Sequence, residues 1–77
     1  MDIDIDTHLG KRLYRRRRLM RLTQRDLGVA IGVRFQQIQK YECGATRMSA
    51  ERLWAIAKAL EVPVGYFFEE LQVAKAA

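Results

Sequence analysis

The feature that most constrains this chain is a connection of two residues, Gly32 and Val33, between two segments with helical patterning. The first segment, TQRDLGVAI at residues 23–31, opens on a threonine that can cap a helix, and Gly32 can adopt the positive φ that ends one. The second segment runs from about Arg34 to Glu42. Because the connection is so short, the two helices must cross at a steep angle.

The part of the chain ahead of this pair divides into an arm and a further helix. Residues 1–7, MDIDIDT, alternate acidic and apolar side chains at a terminus, and we expect them to form a flexible N-terminal arm. Leu9 and Leu13 then recur on one face of a first helix. Asp6 or Thr7 can cap the start of that helix.

Two more helices are expected behind the pair. Ser49 can cap a fourth helix, AERLWAIAKAL. Pro63 can start a short fifth helix that ends near Leu71, ahead of a C-terminal tail at 72–77. The sequence therefore predicts one compact all-α domain of five helices over residues 8–71, with a helix-turn-helix formed by the second and third helices.

The chain has few side chains of the kinds that act as nucleophiles or bind metals, which argues against catalysis. The 77 residues contain one cysteine (Cys43), one histidine (His8), one serine and three threonines. This set allows no intramolecular disulfide, no His/Cys metal cluster and no nucleophile triad. We therefore expect no enzyme activity, no cofactor, no metal and no small-molecule substrate. The sequence shows no leader and no apolar run of membrane-spanning length, so we expect a cytoplasmic protein without a membrane partner.

The charge of the chain is concentrated in one stretch. Residues 8–47 contain eleven basic residues against two acidic ones, a local net charge of +9, while the net charge of the whole chain is +5. A strongly basic surface favours a polyanion as partner, and solvated surface arginines are the alternative explanation.

Residues 22–44, LTQRDLGVAIGVRFQQIQKYECG, resemble the helix-turn-helix of the lambda-repressor-like (XRE-type) transcriptional regulators. The shared pattern is a Ser/Thr-Gln start, an apolar-Ala pair, a glycine in the turn, and Ile with an aromatic residue before Glu-x-Gly. The resemblance continues through LWAIAKALEVPVGYFF and covers residues 8–70. It departs at Arg34, where the family usually has a Ser or Thr cap, and at Cys43, which is usually a polar residue.

The resemblance implies a lambda-repressor-like DNA-binding domain that regulates transcription, as a repressor, from the nucleoid. Its partner would be double-stranded DNA, and members commonly act as two-fold dimers on palindromic operators. A protein-binding role, as an antitoxin or adaptor with the same fold, is the alternative. In that role the fold would serve mainly to hold a protein partner.

The third helix has one face suited to reading bases. Ile38 and Tyr41 fall on its core side, and Gln36 and Lys40 lie opposite. Glutamine can pair with adenine, lysine can donate to guanine, and an aromatic edge can meet a thymine methyl group. For Phe35, packing against the second helix is an equal alternative, and an ordinary solvated face is the alternative for the whole surface. The predicted base-reading residues are Gln36, Lys40, Phe35, Gln37, Gln39 and Arg34.

Phosphate contacts are expected on both sides of that face. Gln24 lies in the first turn of the second helix, where free N–H groups and the helix dipole favour an anion, and the resemblance implies that this residue binds a phosphate. A simple capping role is the alternative for Gln24. The predicted phosphate-binding residues are Gln24, Thr23, Arg47, Thr46, Arg25 and Arg18.

Arg17 continues the apolar stripe of the first helix, four residues after Leu13. A buried guanidinium without a counter-ion is very costly. Only two acids, Asp26 and Glu42, lie between residues 8 and 50, and Asp26 falls off the apolar face of its helix. We therefore predict a structural ion pair between Arg17 and Glu42, which the resemblance also implies.

The end of the chain carries more apolar side chains than a short helix needs. Val64 belongs to one stripe with Phe67, Phe68 and Leu71, whereas Tyr66 points elsewhere. Trp54 is a weaker candidate for the same surface, and closing the core of one subunit is the alternative use. The predicted homodimer interface comprises Phe68, Leu71, Tyr66 and Phe67.

Overall fold

The computed structural model describes residues 4–71, which form α-helices and one 3-10 helix without any strand among them. The all-α prediction is confirmed, but there are four α-helices rather than five. None of the helices in this part of the chain is long and apolar enough to cross a membrane. The elements are α1 (Ile5–Leu19), α2 (Gln24–Ile31), α3 (Phe35–Glu42), α4 (Ala50–Ala59) and the 3-10 helix Val64–Phe68.

The last element is shorter and tighter than the helix expected to run to Leu71. Tyr66 N–H donates to the carbonyl of Pro63, three residues back, at 3.0 Å. The carbonyl of Tyr66 accepts from Glu69 N–H, three residues on, at 3.3 Å, where a continued α-helix would pair it with residue 70, and it also accepts from Arg12 Nε at 3.0 Å. The segment therefore stays a 3-10 turn, and the tail predicted at 72–77 lies outside the described residues.

The start of α1 differs from the expected arm. Asp4, rather than Asp6 or Thr7, is the N-cap, because its carboxylate accepts bonds from the Thr7 hydroxyl at 2.6 Å and the Thr7 N–H at 3.0 Å. The hydroxyl and then the backbone bond hold the pKa of Asp4 below its ordinary value. Residues 5–7 are helical, so the arm prediction is wrong for them, and residues 1–3 lie outside the described part.

The two central helices begin and end on local signals. Thr23 and Asp26 form a capping box at α2, and the backbone and then the side-chain bond from Thr23 lower the pKa of Asp26. Gly32 ends α2 at φ 78°. Arg34 is the extended N-cap of α3 and makes no side-chain cap bond, so α3 starts at Phe35. The departure at Arg34 thus leaves the helix start in place.

The core draws on every element. Six side chains are completely or almost completely enclosed, and Phe67 is the largest of them. Its prediction as a dimer contact is therefore wrong, because its ring is enclosed in the core of this chain, whereas the neighbouring Phe68 is 43% exposed. The six are Phe67, Leu13, Leu27, Ile38, Ile56 and Leu60.

The backbone of α1 packs directly against the end of α3 at Gly10. A Cβ atom added at Gly10 would clash with the carbonyl oxygen of Tyr41 and lie 2.7 Å from the carbonyl oxygen of Glu42. A second close approach joins α2 to the turn, since a Cβ at Gly28 would lie 2.6 Å from the carbonyl oxygen of Val33. The position of α3 is thus fixed by backbone contact on two sides.

Candidate nucleic-acid interface

The outward face of α3 is polar and free of acids. Gln36, Gln39 and Lys40 are exposed, whereas Ile38 and Tyr41 on the opposite side are only 0% and 5% exposed. Gln37 is half-buried at the edge of the exposed face. A groove runs along this side of the helix, and its lining includes Arg34, Gln36, Gln37, Lys40 and Arg52.

The environment of Phe35 is compatible with both roles considered for it, packing against α2 and contact with a base. Its side chain is half-buried, and the guanidinium of Arg25 on α2 lies over the ring, 5.4 Å from the centroid. The ring therefore packs against α2 and still keeps part of its surface open. Arg25, expected on a phosphate, is exposed and next to this ring.

The carboxylate of Glu42, the last residue of α3, is buried and contacts side chains of α1 and α2. Arg17 is 6% exposed, and its Nε and Nη2 donate to Glu42 at 2.5 and 3.1 Å. Its Nη1 also donates to the carbonyl of Leu22 at 2.7 Å. The ion pair inferred from the sequence is present in the structure.

The same carboxylate holds Gln24. The Gln24 Nε2 group donates to Glu42 Oε1 at 2.9 Å, and this amide must be the donor because an ionised carboxylate only accepts. The contact was not expected from the sequence. It fixes Gln24 at the start of α2 and leaves a second N–H of the amide for another acceptor.

The start of α2 has the groups that an anion needs. The backbone N–H groups of Gln24 and Arg25 donate to no atom of residues 4–71. The guanidinium groups of Arg18 and Arg21, both exposed residues, belong to the adjacent chain segment. Free N–H groups at a positive helix end, next to arginines, suit a phosphate. A concave surface here is lined by Arg17, Arg18, Arg21, Leu22 and Thr23.

The loop after α3 offers one more cation. The Arg47 side chain is 84% exposed, and its Nε lies 3.4 Å from the Asp6 carboxylate. The contact between Arg47 and Asp6 was not predicted from the sequence, because residues 1–7 were expected to form a flexible arm. Thr46, beside Arg47, is half-buried. A contact that long and that exposed is weak, so Arg47 remains open to a phosphate.

Sequence reasoning missed a second buried arginine, Arg12, which is 4% exposed. Besides its bond to Tyr66, it forms ion pairs with Glu69 at 2.9 Å and Glu70 at 2.8 Å, and its guanidinium lies 4.0 Å from the Tyr66 ring centroid. A ring nitrogen of His8 lies 2.9 Å from the Glu69 carbonyl oxygen. The spacing of three residues from Leu9 was the available signal. We call Arg12, Tyr66, Glu69 and Glu70 the arginine clamp.

The residues predicted for a dimer interface separate into two groups. Phe67 is in the core, and the half-buried Tyr66 is held by the arginine clamp, where its hydroxyl donates to the Arg12 carbonyl at 3.4 Å. Phe68 is 43% exposed and Leu71 is half-buried. Trp54 on α4 is 56% exposed. Phe68 and Leu71 thus remain candidate contact residues, whereas Phe67 is enclosed in the core.

Reactive groups are scattered within residues 4–71. No group of three or more His, Cys, Asp or Glu side chains there is close enough to hold a metal ion. Cys43 is a free, exposed thiol whose Sγ lies 3.5 Å from the carbonyl oxygen of Lys40.

Comparison with known proteins agrees with this geometry. The HTH_3 family model, described as helix-turn-helix, matches residues 13–67. A transcriptional regulator in the ATPase CF(0) region of Rhodospirillum rubrum is 54% identical over 68 residues, which cover 88% of this chain and 63% of the relative. The chain spans about half the length of two other matching regulators, both from Sinorhizobium fredii.

Two solved structures extend the likeness to three dimensions. The clp gene regulator ClgR of Corynebacterium glutamicum has a TM-score of 0.80 at 26% identity, with 83% of each chain covered. The P22 c2 repressor, solved with a synthetic operator, has a TM-score of 0.74 at 31% identity, covering 79% of this chain and 92% of the repressor. The chain therefore belongs to the helix-turn-helix family of lambda-repressor-like (XRE-type) transcriptional regulators.

Proposed function

We propose that this chain is a sequence-specific DNA-binding domain of a transcriptional regulator that acts as a repressor by occupying an operator. The observation that carries the proposal is the exposed, acid-free amide and amine face of α3, held rigidly by the backbone contacts at Gly10 and Gly28. An α-helix presented in this way fits the major groove. Such a protein would work in the cytoplasm, on the nucleoid.

The base-reading role falls to the middle of α3. Gln36 and Lys40 are one turn apart and both exposed, so they can reach neighbouring base pairs from one helix face. Gln36 can pair with adenine by donating from its amide nitrogen and accepting at its amide oxygen, and Lys40 can donate to guanine. Gln39, Gln37 and Arg34 flank them and extend the contact to adjacent positions.

The phosphate contacts lie on either side of α3. On one side, the free N–H groups and the pinned amide of Gln24 would receive a phosphate, supported by Thr23, Arg25 and Arg18. On the other side, Arg47 with Thr46 would contact the backbone across the groove. Glu42 is the last residue of α3 and accepts a bond from Gln24, so its carboxylate links the proposed phosphate contact to the proposed base-reading helix.

The proposal predicts a steep salt dependence of DNA binding. Duplexes selected from a random pool are the probe, and their affinity is measured by fluorescence anisotropy at increasing salt concentration. The slope of log affinity against log salt is expected to be about −0.9 per phosphate contacted. A flat slope would contradict the DNA-binding role. A pool without any enriched sequence would favour a protein-binding adaptor instead.

The separation of base-reading residues from phosphate-binding residues predicts two classes of variant. Gln36→Ala and Lys40→Ala are expected to weaken binding to the selected duplex by about 1–3 kcal/mol each and to change binding to random DNA little. Arg47→Ala is the matched control, because its side chain is 84% exposed and its loss leaves the core intact. It is expected to weaken both duplexes alike. One common profile for all three variants would contradict the assigned roles.

We also propose that the domain binds as a homodimer to a two-fold operator. A single module of this size has a small DNA contact, and two modules roughly double it. The exposed Phe68 with Leu71 is the candidate subunit contact, and Trp54 is a further member. Two recognition helices would then enter successive major grooves, with half-site centres about 10–10.5 base pairs apart.

Sedimentation with and without the selected duplex tests the dimer. Two chains per duplex are expected for the wild type, and Phe68→Ser with Leu71→Ser is expected to reduce the ratio to one. Leu19→Ser is the control, since Leu19 is 68% exposed on α1 and belongs to no proposed contact. One chain per duplex at saturation, on a site without dyad symmetry, would refute the dimer.

A further inference from the structure

One acidic side chain lies against a residue that is proposed to bind phosphate. Both carboxylate oxygens of Asp6, in the first turn of α1, lie 3.4 Å from Arg47 Nε. The Asp6 side chain is only 23% exposed, whereas the Arg47 side chain extends into solvent. The carboxylate is therefore held beside the loop after α3, next to a cation that can reach outward to a ligand.

Backbone packing holds the first turn of α1 against this loop. A Cβ atom added at Gly44, in the turn after α3, would lie 3.0 Å from Thr7 Cα and 2.7 Å from the Thr7 hydroxyl oxygen. The Thr7 hydroxyl donates to the Asp4 carboxylate at 2.6 Å. Because Asp6 precedes Thr7 in the same helical turn, its backbone cannot leave the loop unless these contacts break.

The charge of this turn opposes the charge of the surface beside it. Residues 8–47 have a net charge of +9, but Asp6 and Asp4 both lie ahead of them at the start of α1. A DNA phosphate bound at Arg47 would approach the Asp6 carboxylate closely, and like charges at short distance repel. The phosphate would also have to displace the attraction that Arg47 already has for Asp6.

An orienting role for Asp6 is the alternative. A carboxylate that orients an arginine toward phosphate does so through a short, directed hydrogen bond, of about 2.7–2.9 Å when both groups are charged. The contact here is 3.4 Å long, and the arginine side chain is 84% exposed. The pair therefore attracts without fixing the geometry of the guanidinium, which favours competition over orientation.

We propose that Asp6 competes with a DNA phosphate for Arg47 and thereby limits the affinity of the domain for DNA. The inference rests on the proposed DNA-binding function and adds an acidic side chain that regulates the phosphate contact at this loop. In the free protein Arg47 pairs with Asp6, and in the complex it pairs with the phosphate. Because every duplex has phosphates, Asp6 weakens binding to selected and random sequences alike.

Asp6→Asn tests the competition, because asparagine keeps the shape of the side chain and removes its charge. At low salt the variant is expected to bind the selected and the random duplex about two- to fivefold more tightly than wild type, the range for one exposed ion pair. The gain is expected to shrink as the salt concentration rises, because salt screens exposed charges. A gain in affinity cannot come from a folding defect.

Two further variants assign the gain to this pair of residues. Asp6→Asn combined with Arg47→Ala is expected to bind no better than Arg47→Ala alone. Glu61→Gln is the matched control for net charge, because Glu61 is exposed and lies beyond the far end of α4 from Arg47. The ten residues of α4 span about 15 Å, which exceeds the screening length at moderate salt. Glu61→Gln is therefore expected to bind like wild type.

Three results would overturn the proposal: unchanged or weaker DNA binding of Asp6→Asn, the same gain in the Arg47→Ala background, or the same gain in Glu61→Gln. Each of them is read against a wild type whose DNA affinity falls with salt. A failure of the DNA-binding role itself would instead give a flat salt dependence for the wild type, so the two failures are distinguishable.

Discussion

Replacing Arg17 with methionine is expected to lower the free energy of unfolding by about 3–5 kcal/mol. The substitution keeps the length and apolar character of the side chain but leaves the Glu42 carboxylate, only 7% exposed, without its counter-ion. It also removes the donor to the Leu22 carbonyl. Glu42→Gln should act in the same direction, because it leaves the guanidinium unpaired and weakens the bond to Gln24. Chemical denaturation followed by circular dichroism measures the loss.

Arg15→Met is the matched control for this experiment. Arg15 makes an ion pair with Glu70 at 3.2 Å, but the two side chains are 56% and 69% exposed. Exposed pairs of this kind contribute about 0–1 kcal/mol, so the same substitution on the same helix should cost little. Molecules of Arg17→Met that remain folded should still bind DNA. Equal melting of Arg17→Met and wild type would show that the Arg17–Glu42 pair contributes nothing to stability.

The second large effect is expected at Gly10, where alanine should destabilise the fold by about 1–3 kcal/mol or more. Alanine is intrinsically the better helix former by about 1 kcal/mol, so a net loss must come from the clash with the carbonyl groups of Tyr41 and Glu42. Both atoms are backbone and cannot move away by a rotamer change. Because they belong to α3, the variant should also bind its operator more weakly than the loss of folded protein explains.

Gly65→Ala separates this clash from a general effect of alanine. A Cβ at Gly65 meets no atom within 4 Å, so this variant should stay within about 0.5 kcal/mol of wild type. Thermal melts of both variants, with operator affinity measured per folded molecule, complete the comparison. A Gly10→Ala protein as stable as wild type would mean that α1 and α3 can separate at no cost.

Local signals explain what the sequence could predict. The turn at Gly32 and the apolar period of α2 and α3 are encoded within a few residues, and the structure has these helices where expected. The pairing of Arg17 followed from the scarcity of acids near the basic stretch. The start of α1 was misplaced because Asp4, Asp6 and Thr7 can each cap a helix, and only the bonds from Thr7 to the Asp4 carboxylate select Asp4.

Long-range contacts explain what the sequence could not predict. Arg12 pairs with Glu69 and Glu70, which are 57 and 58 residues away, so the spacing from Leu9 could have signalled the burial of Arg12 but no local pattern identifies its partners. The 3-10 bonds of Tyr66 with Pro63 and of Glu69 with Tyr66 were likewise not signalled by the apolar pattern at the end of the chain. The bond between Gln24 and Glu42 spans 18 residues and depends on the packing of α2 against α3. The roles of the exposed residues toward DNA remain predictions.

The arginine clamp has a consequence for how the domain opens. The segment that contains Phe68 is a short 3-10 turn tied to α1 by ion pairs with exposed carboxylates, and it can open while the rest stays native only if Phe67 also leaves the core. Amide hydrogens of residues 64–71 would then exchange faster than those of α1 and α3. If the subunit contact lies on this segment, closing the clamp and pairing two subunits become one linked equilibrium. Operator occupancy would then depend on how often this short segment is closed, as well as on the amount of protein.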